Sequence, residues 1–337
     1  MRIVVLGTGP FAVPMFQSLL DSPHEVAALI TRPTPPATGR EKGPVNPMRD
    51  VAEDRGLPVH SPASINTEEG KELLQQLAPE LLVVCDYGQI LAGDVLAIPP
   101  LGGINLHASL LPKYRGAAPI QWALFAGESE TGVTVIHMTP RLDGGPILCV
   151  RSTRIGSDET HPDLEHRLAG LGIEPVQEAI RLLADWDRVS PLGARQDASQ
   201  ATKAPRLKKE HGAIDWSRSA EQIRNQVRAL KPWPGTYTFW RRHGQEPLRI
   251  VIDQVSILGR GFRAAARVAG LEQAGATERE GDQPGQVIVS DGKQLIVATG
   301  EGGLSISDLA PAGKRHMTVE EFLRGYHIRE GDVLGAA

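Results

Sequence analysis

Cysteine is almost missing from this chain: 337 residues contain 2, Cys85 and Cys149, each inside an apolar, strand-like run. That scarcity excludes a disulfide-stapled secreted scaffold, and both residues read as small, reduced core side chains. Neither they nor the 10 histidines fall at the spacing of a zinc site, so no metal is expected. No apolar run approaches the roughly 20 residues that cross a bilayer, so no membrane partner is expected. The opening also lacks a signal peptide's architecture, because Met1 leads directly into the strand pattern Arg2-Ile-Val-Val-Leu-Gly7. A cytoplasmic location is the expectation. Internal repeats and low-complexity tracts are absent too.

What is present is an ordinary globular composition, 41% hydrophobic and 23% charged, with length enough for two cores. The net charge of -4 conceals a segregation. Residues 201–267 hold 14 Lys and Arg against 5 Asp and Glu, whereas 268–337 hold 6 against 11. A basic segment in an acidic chain still attracts phosphate, because a field is felt over roughly 8–10 Å at moderate salt. A charge run is also compatible with a merely solvated face.

The first half alternates strand-like and helix-like segments. Ile3–Leu6, Val26–Thr31, Leu81–Tyr87, Ile104–His107 and Val133–Met138 are short β-branched or apolar runs. Between them lie helical patterns at Phe11–Leu20, Pro47–Arg55, Glu68–Leu77 and Pro119–Ala126, and one longer helix is expected from Thr160 to about Trp186. Such βαβ alternation predicts an α/β domain, a mainly parallel sheet covered by helices on both faces. Residues 190–206 are polar, carry Pro191 and Pro205, and read as a linker. Beyond them, one helix at Ala220–Leu230 is followed by closely spaced short strands, the pattern of a small β-barrel. The expected division is 1–189, a linker 190–206, a barrel 207–325 and a tail 326–337.

Three clusters bear on chemistry. Gly7-Thr8-Gly9-Pro10-Phe11-Ala12 fits a shortened glycine-rich dinucleotide turn. The acidic residue expected after the second strand is missing, and Arg32 there could meet a 2′-phosphate, so an NADP-dependent oxidoreductase stands as an alternative beside a plain tight turn. Asn105 and His107 are two apart in a β-like run, so both side chains project from one face at the strand's end, before a loop bearing Pro112 and Gly116. An amide donor beside an imidazole suits acyl transfer: the amide polarises a carbonyl, and the ring handles a proton or a developing charge. The same pair also serves as a structural hydrogen-bonding couple elsewhere. Asp143, before Gly144 and Gly145, is either a turn residue or a third member of the group.

Taken together, Asn105-Leu-His107, Ser109-Leu110-Leu111-Pro112, Arg115-Gly-Ala-Ala-Pro119-Ile-Gln121 and Leu142-Asp143-Gly-Gly closely resemble the 10-formyltetrahydrofolate-dependent formyltransferase superfamily. That resemblance implies a Rossmann-like catalytic domain. It implies Asn105, His107 and Asp143 as the catalytic trio, and Ser109, Leu110, Leu111 and Pro112 as part of the folate site. 10-Formyltetrahydrofolate would be a consumed co-substrate. The trio is shared by formyltransferases acting on several amines, so it leaves the acceptor open. Arg206-Leu-Lys-Lys-Glu-His-Gly-Ala-Ile-Asp215-Trp216-Ser217, Lys231-Pro-Trp233-Pro-Gly235, Ala310-Pro-Ala-Gly-Lys314-Arg-His-Met317 and Phe322-Leu-Arg-Gly325 resemble the methionyl-tRNA formyltransferase branch.

In that branch a basic linker joins the catalytic domain to an oligonucleotide-binding-type barrel. Initiator methionyl-tRNA is then the implied partner, and N-formylmethionyl-tRNA for translation initiation the product, with a monomer expected. Lys203, Arg206, Lys208 and Lys209 are the implied tRNA contacts, and the basic charge of 201–267 falls on the same region. The branch also carries a basic insertion loop after the second strand. Here that loop holds Arg32, Arg40 and Lys42 with Glu41 between the last two, and Arg40 and Lys42 are the residues expected to reach the tRNA. A formyltransferase acting on another amine is the remaining alternative.

Overall fold

A computed structural model describes residues 1–33, 46–242, 244, 246–258 and 282–336. Arg40 and Lys42 lie outside the described residues. By its packing the chain divides into two units: 1–120, 129–156 and 163–206 form the first, and 121–128, 157–162 and 207–337 the second.

The first unit is built on a seven-stranded sheet. Its strands are β1 (Arg2–Gly7), β2 (Glu25–Ile30), β3 (Val59–His60), β4 (Leu81–Cys85), β5 (Gly103–His107), β7 (Glu130–His137) and β8 (Ile147–Arg154), in the order β3-β2-β1-β4-β5-β7-β8. The first five in that order are parallel, and β7 and β8 run antiparallel. Ile3, Val4, Val5 and Leu6 of β1 are all fully buried, as are Leu81, Leu82 and Val83 of β4. Helices covering both faces of a parallel sheet demand such unbroken apolar strands. Between the strands run α1 (Val13–Leu20), α2 (Pro47–Asp54), α3 (Glu68–Leu77) and the short α4 (Gly93–Leu96), whereas most of α5 (Pro119–Ala126) belongs to the second unit. The Thr67 side chain caps α3 by accepting from Gly70 N at 3.3 Å.

The single helix expected over 160–186 is two, α6 (His161–Leu171) and α7 (Ile173–Ala184). Pro175 explains the break, since its ring offers no N–H to the Leu171 carbonyl and would clash with it in a continuous helix. Gly172 at the junction lies so close to Leu106 of β5 that a Cβ there would sit 2.6 Å from its Cδ2. The segment expected as a linker also has a place in this unit. Its β9 (Lys203–Ala204) pairs in parallel with β6 (Arg115–Gly116), and Ala194 exchanges two 2.8 Å backbone hydrogen bonds with Ile147.

The second unit is an antiparallel sheet ordered β12-β13-β14-β11-β10-β16, from β10 (Thr236–Trp240), β11 (Leu248–Leu258), β12 (Val287–Ser290), β13 (Leu295–Ala298), β14 (Gly303–Pro311) and β16 (Leu334–Gly335), with β15 (Met317–Thr318) paired to β14. The sheet curls until its ends meet: Leu334 N donates to Gly285 O at 2.8 Å, Val287 N to Asp332 O at 2.8 Å, and Gly331 N to Val287 O at 2.9 Å. Edge groups that would otherwise face water are thereby paired. Helix α8 (Ala220–Ala229), opened by a Ser219–Gln222 capping box, packs Ile223 and Val227 into a core with Trp216, Trp240, Ile252 and Phe322.

Residues 326–337, expected as a tail, contain β16, which pairs with β10. Leu334 is only 2% exposed and sits in the barrel core. Leu334→Ala should therefore destabilise this unit by about 2–5 kcal/mol, as buried leucine truncations do, read as an earlier denaturant midpoint. An unchanged midpoint would show that the barrel does not need its last strand.

Candidate active site

Parallel strands end on one edge of a sheet, and in such sheets ligands bind outside the carboxyl ends. Asn105 and His107 occupy the last three positions of β5 with Leu106 between them. Asn105 lies between Val84 of β4 and Ile136 of β7, while His107 is opposite Thr134. Leu106 is buried on the other face, and Asn105 is half-buried. Among the described residues, the Asn105 amide has no hydrogen-bond partner, so its two N–H donors are uncommitted.

The His107 ring is held at both nitrogens. Nε2 donates to the Tyr114 carbonyl at 2.9 Å, and Nδ1 faces Asp143 Oδ1 at 3.8 Å. The other Asp143 oxygen, Oδ2, accepts from Gly116 N at 2.9 Å. Both partners come from the loop that leaves β5, and this loop is tightly determined. The wholly buried Ser109 gives its hydroxyl to Lys113 O at 2.7 Å. Thr134, also wholly buried, donates to Ser109 O at 2.7 Å and accepts from Leu111 N at 3.1 Å.

Two non-glycine residues of this cluster, Tyr114 with φ 60° and Asp143 with φ 45°, adopt the left-handed conformation. Such conformations persist where the surroundings over-determine them. Gly145, two residues after Asp143, cannot carry a side chain, because a Cβ there would overlap the His137 carbonyl oxygen. Gly145 thus serves close packing of the loop over the end of β7.

The segment after α7 supplies further partners. Gln196 Nε2 donates to the carbonyls of Asp143 at 2.8 Å and Gly145 at 2.7 Å. Its Oε1 accepts from Arg115 Nη2 at 2.6 Å and Nε at 3.2 Å. Thr202 Oγ1 accepts from Tyr114 N at 2.8 Å, and Thr202 O from Arg115 N at 2.9 Å. Burial and the charge of Arg141 pull Arg115 below its ordinary value, while Asp143 opposes that shift. Sequence reasoning did not single out Gln196, Thr202 or Thr134. Arg115 and Gly116 were within a quoted motif without an assigned role.

Of the four residues expected at a folate site, Ser109 and Leu111 are buried and Leu110 and Pro112 half-buried. Leu110 packs over Gly132 of β7. With its hydroxyl committed to Lys113, Ser109 shapes the loop from inside. Lys203 and Arg206 are exposed in the first unit. In the second, Lys208 and Lys209 are exposed, and Lys208 Nζ is 3.5 Å from Glu210 Oε1. Among the described residues no group of three His, Cys, Asp or Glu could hold a metal ion, and no helix is long and apolar enough to cross a membrane.

The glycine turn at Gly7–Gly9 is filled by the protein itself. A Cβ on Gly9 would overlap the carboxylate of Asp86, which follows β4, and one on Gly7 would sit 2.8 Å from the Cys85 carbonyl oxygen and 2.9 Å from Met48 Cε. The following helical turn begins with Pro10, which has no N–H. A pyrophosphate approaching this turn would meet a carboxylate where a dinucleotide site presents amide donors. The local chemistry therefore opposes the oxidoreductase alternative.

Residues 1–180 match the family described as Formyl transferase, and 206–327 match Formyl transferase, C-terminal domain. The chain is 45% identical to a methionyl-tRNA formyltransferase of Rhodopirellula baltica, over 99% of this chain and 96% of that one. It is 42% identical to the methionyl-tRNA formyltransferase of Pelobacter propionicus, again over 99% and 96%. In fold it is similar to an N-formyltransferase from Helicobacter canadensis, solved with folinic acid and dTDP-3-aminofucose, at a TM-score of 0.60 and 16% identity over 91% of this chain and 98% of that one.

Asp86 offers a test of the electrostatics at the glycine turn. Burial, then the charge of Glu165, raises its carboxyl from 3.8 to about 6, although one side stays open to solvent. A raised folded-state value contributes stability below about pH 4 that is lost as pH rises through about 6. Asp86→Asn should therefore raise Tm more at pH 7.5 than at pH 4.5. A Tm difference that stays constant, or shrinks as pH rises, would contradict this.

Proposed function

This chain belongs to the methionyl-tRNA formyltransferase family, and from that membership we propose that it moves the formyl group of 10-formyltetrahydrofolate to the free amino group of initiator methionyl-tRNA. The observation that carries the reading is the gathering of Asn105, His107 and Asp143 at the end of β5, with the Asn105 amide uncommitted. The residues present suit a folate. Apolar side chains remain exposed on the loops that follow β4 and β7, at Ile90 and Leu142, and would suit flat rings, while Leu110 and Pro112 are partly open.

The folate supplies an activated formyl group on its N10. The bond from N10 to the formyl carbon breaks, the bond from the methionyl nitrogen forms, the amine gives up a proton and N10 takes one. Asn105 donates an N–H to the formyl oxygen as negative charge develops there, the kind of preorganised donor that usually contributes most in acyl transfer. His107, anchored through Nε2 to Tyr114 O, adds electrostatic stabilisation beside the same oxygen. Asp143 orients His107 and is the group best suited to help the proton leave the amine, directly or through a water.

On the acceptor side, Lys203, Arg206, Lys208 and Lys209 meet tRNA phosphates, supported by their exposure and by the basic balance of 201–267. Arg40 and Lys42 would reach the acceptor end. The reaction belongs in the cytoplasm, in keeping with two free, buried thiols. We take one chain as the active unit.

The catalytic reading is tested by Asn105→Ala, which should lower kcat for formylation by roughly 10²–10³-fold and leave tRNA affinity nearly unchanged. Near-normal turnover would remove Asn105 from the site. The acceptor reading is tested by the double change Lys208→Ala, Lys209→Ala. If both lysines meet phosphates, KM for methionyl-tRNA rises with little change in kcat, and the dependence of log affinity on log salt becomes shallower by roughly 0.7–0.9 per contact removed. An unchanged slope and KM would make these lysines a solvated face.

A further inference from the structure

The carboxylate of Asp143 is directed by its own backbone, and that backbone is unusual. Asp143 sits at φ 45° on a loop followed by two glycines, the residue type with the widest choice of conformation. Left to itself, such a loop would sample many orientations of the carboxylate, and the 3.8 Å approach of Oδ1 to His107 Nδ1 would be one among them. The hydrogen bond from Gly116 N fixes Oδ2, and within the turn Gly144 N donates to Arg141 O at 3.1 Å, but a further group has to hold the carbonyls of Asp143 and Gly145.

Gln196 does so with complete use of its amide. A primary amide has two N–H donors and an oxygen able to accept twice. The two N–H groups go to two carbonyls of the Asp143 loop, at residues 143 and 145, and the oxygen takes two N–H groups of Arg115. Carbonyls on one side and a guanidinium on the other fix which end of the amide is which. Arg115 is the residue between Tyr114, whose carbonyl anchors His107, and Gly116, whose N–H anchors Asp143. One half-buried side chain therefore ties together the two loops on which the His107–Asp143 geometry rests. We propose that Gln196 is a positioning residue for formyl transfer, acting through the backbone of Asp143, so that the segment 190–206 is part of the catalytic apparatus as well as a connection between units.

The proposal rests on the assignment of Asp143 to the catalytic trio, and a double-mutant cycle separates the two. Gln196→Met keeps the side chain's volume and removes every hydrogen bond. Gln196→Glu keeps an acceptor toward Arg115 and removes both donors toward the Asp143 loop. Single-turnover formylation of methionyl-tRNA is measured for both variants in the native background and with Asp143→Asn, with circular dichroism and thermal melts to establish folding. Each Gln196 variant should lower the transfer rate by about 10–100-fold, the scale of a small misplacement, with KM for both substrates changed by less than about twofold. In the Asp143→Asn background the same changes should cost less than about twofold, because the group being positioned is already disabled.

An equal loss in both backgrounds would mean that Gln196 only supports the fold, and would overturn the proposal. So would full activity of Gln196→Glu, which would assign the effect to Arg115, or a rise in KM alone. If Asp143→Asn itself turned over like the native protein, the trio assignment would fail first and the proposal with it.

Discussion

The Asp143 carboxylate, shared between the Gly116 N–H and the Nδ1 edge of the His107 ring, is the interaction on which the rest of the site depends. Neither partner is local to it. His107 comes from the end of β5, Gly116 from the loop beyond, and Asp143 from the turn between β7 and β8. Holding these three together forces two non-glycine residues into left-handed backbone, commits a buried serine and a buried threonine to the loop's interior, and brings Arg115 and Gly116 into a two-stranded pair with Lys203 and Ala204. The strain is tolerable because each distorted residue is anchored by several hydrogen bonds made elsewhere. Asn105 differs from the rest: among the described residues its amide has no partner, which suits a donor whose partner arrives with the substrate.

The division of labour between the units follows from where charge and donors lie. The candidate catalytic groups belong to the first unit, whose sheet ends supply a rigid edge for them. The second is a curled antiparallel barrel preceded by exposed lysines. Formyl transfer needs few strong interactions at one carbon, whereas docking a tRNA needs many weak ones spread over phosphates. Two structures optimised separately serve those demands better than one. The glycine turn at the start of the chain, a dinucleotide device in other α/β proteins, here packs Asp86 against Gly9 and closes itself to pyrophosphate.

Much of this was legible in the residues. Strand parity put Asn105 and His107 on one face, and βα alternation gave the parallel sheet, because both signals are local and periodic. The fold class and the family followed from motifs spread across the chain. What escaped had no period to read. The pair formed by β6 and β9 is two residues long, β16 likewise, and each exists only because a distant strand is waiting for it. Gln196 sits in a polar stretch indistinguishable by composition from a tether, and its role is carried by hydrogen bonds to residues more than 50 positions away. The break between α6 and α7 was written in Gly172 and Pro175, but the apolar pattern continued across it and outweighed them. Asp143 stood between the two cases: by itself a turn residue, and a candidate for the site only beside the rest of the family pattern.

The central claim is that an amine is formylated here because a tRNA presents it. It is tested most directly by comparing kcat/KM for methionyl-tRNA with that for methionine methyl ester, which carries the same amine and ester without phosphates, at low and moderate salt with 10-formyltetrahydrofolate. The account predicts a preference of orders of magnitude for methionyl-tRNA that narrows as salt rises, and an ester reaction nearly indifferent to salt. Comparable values for the two acceptors, or a preference that salt does not touch, would contradict it.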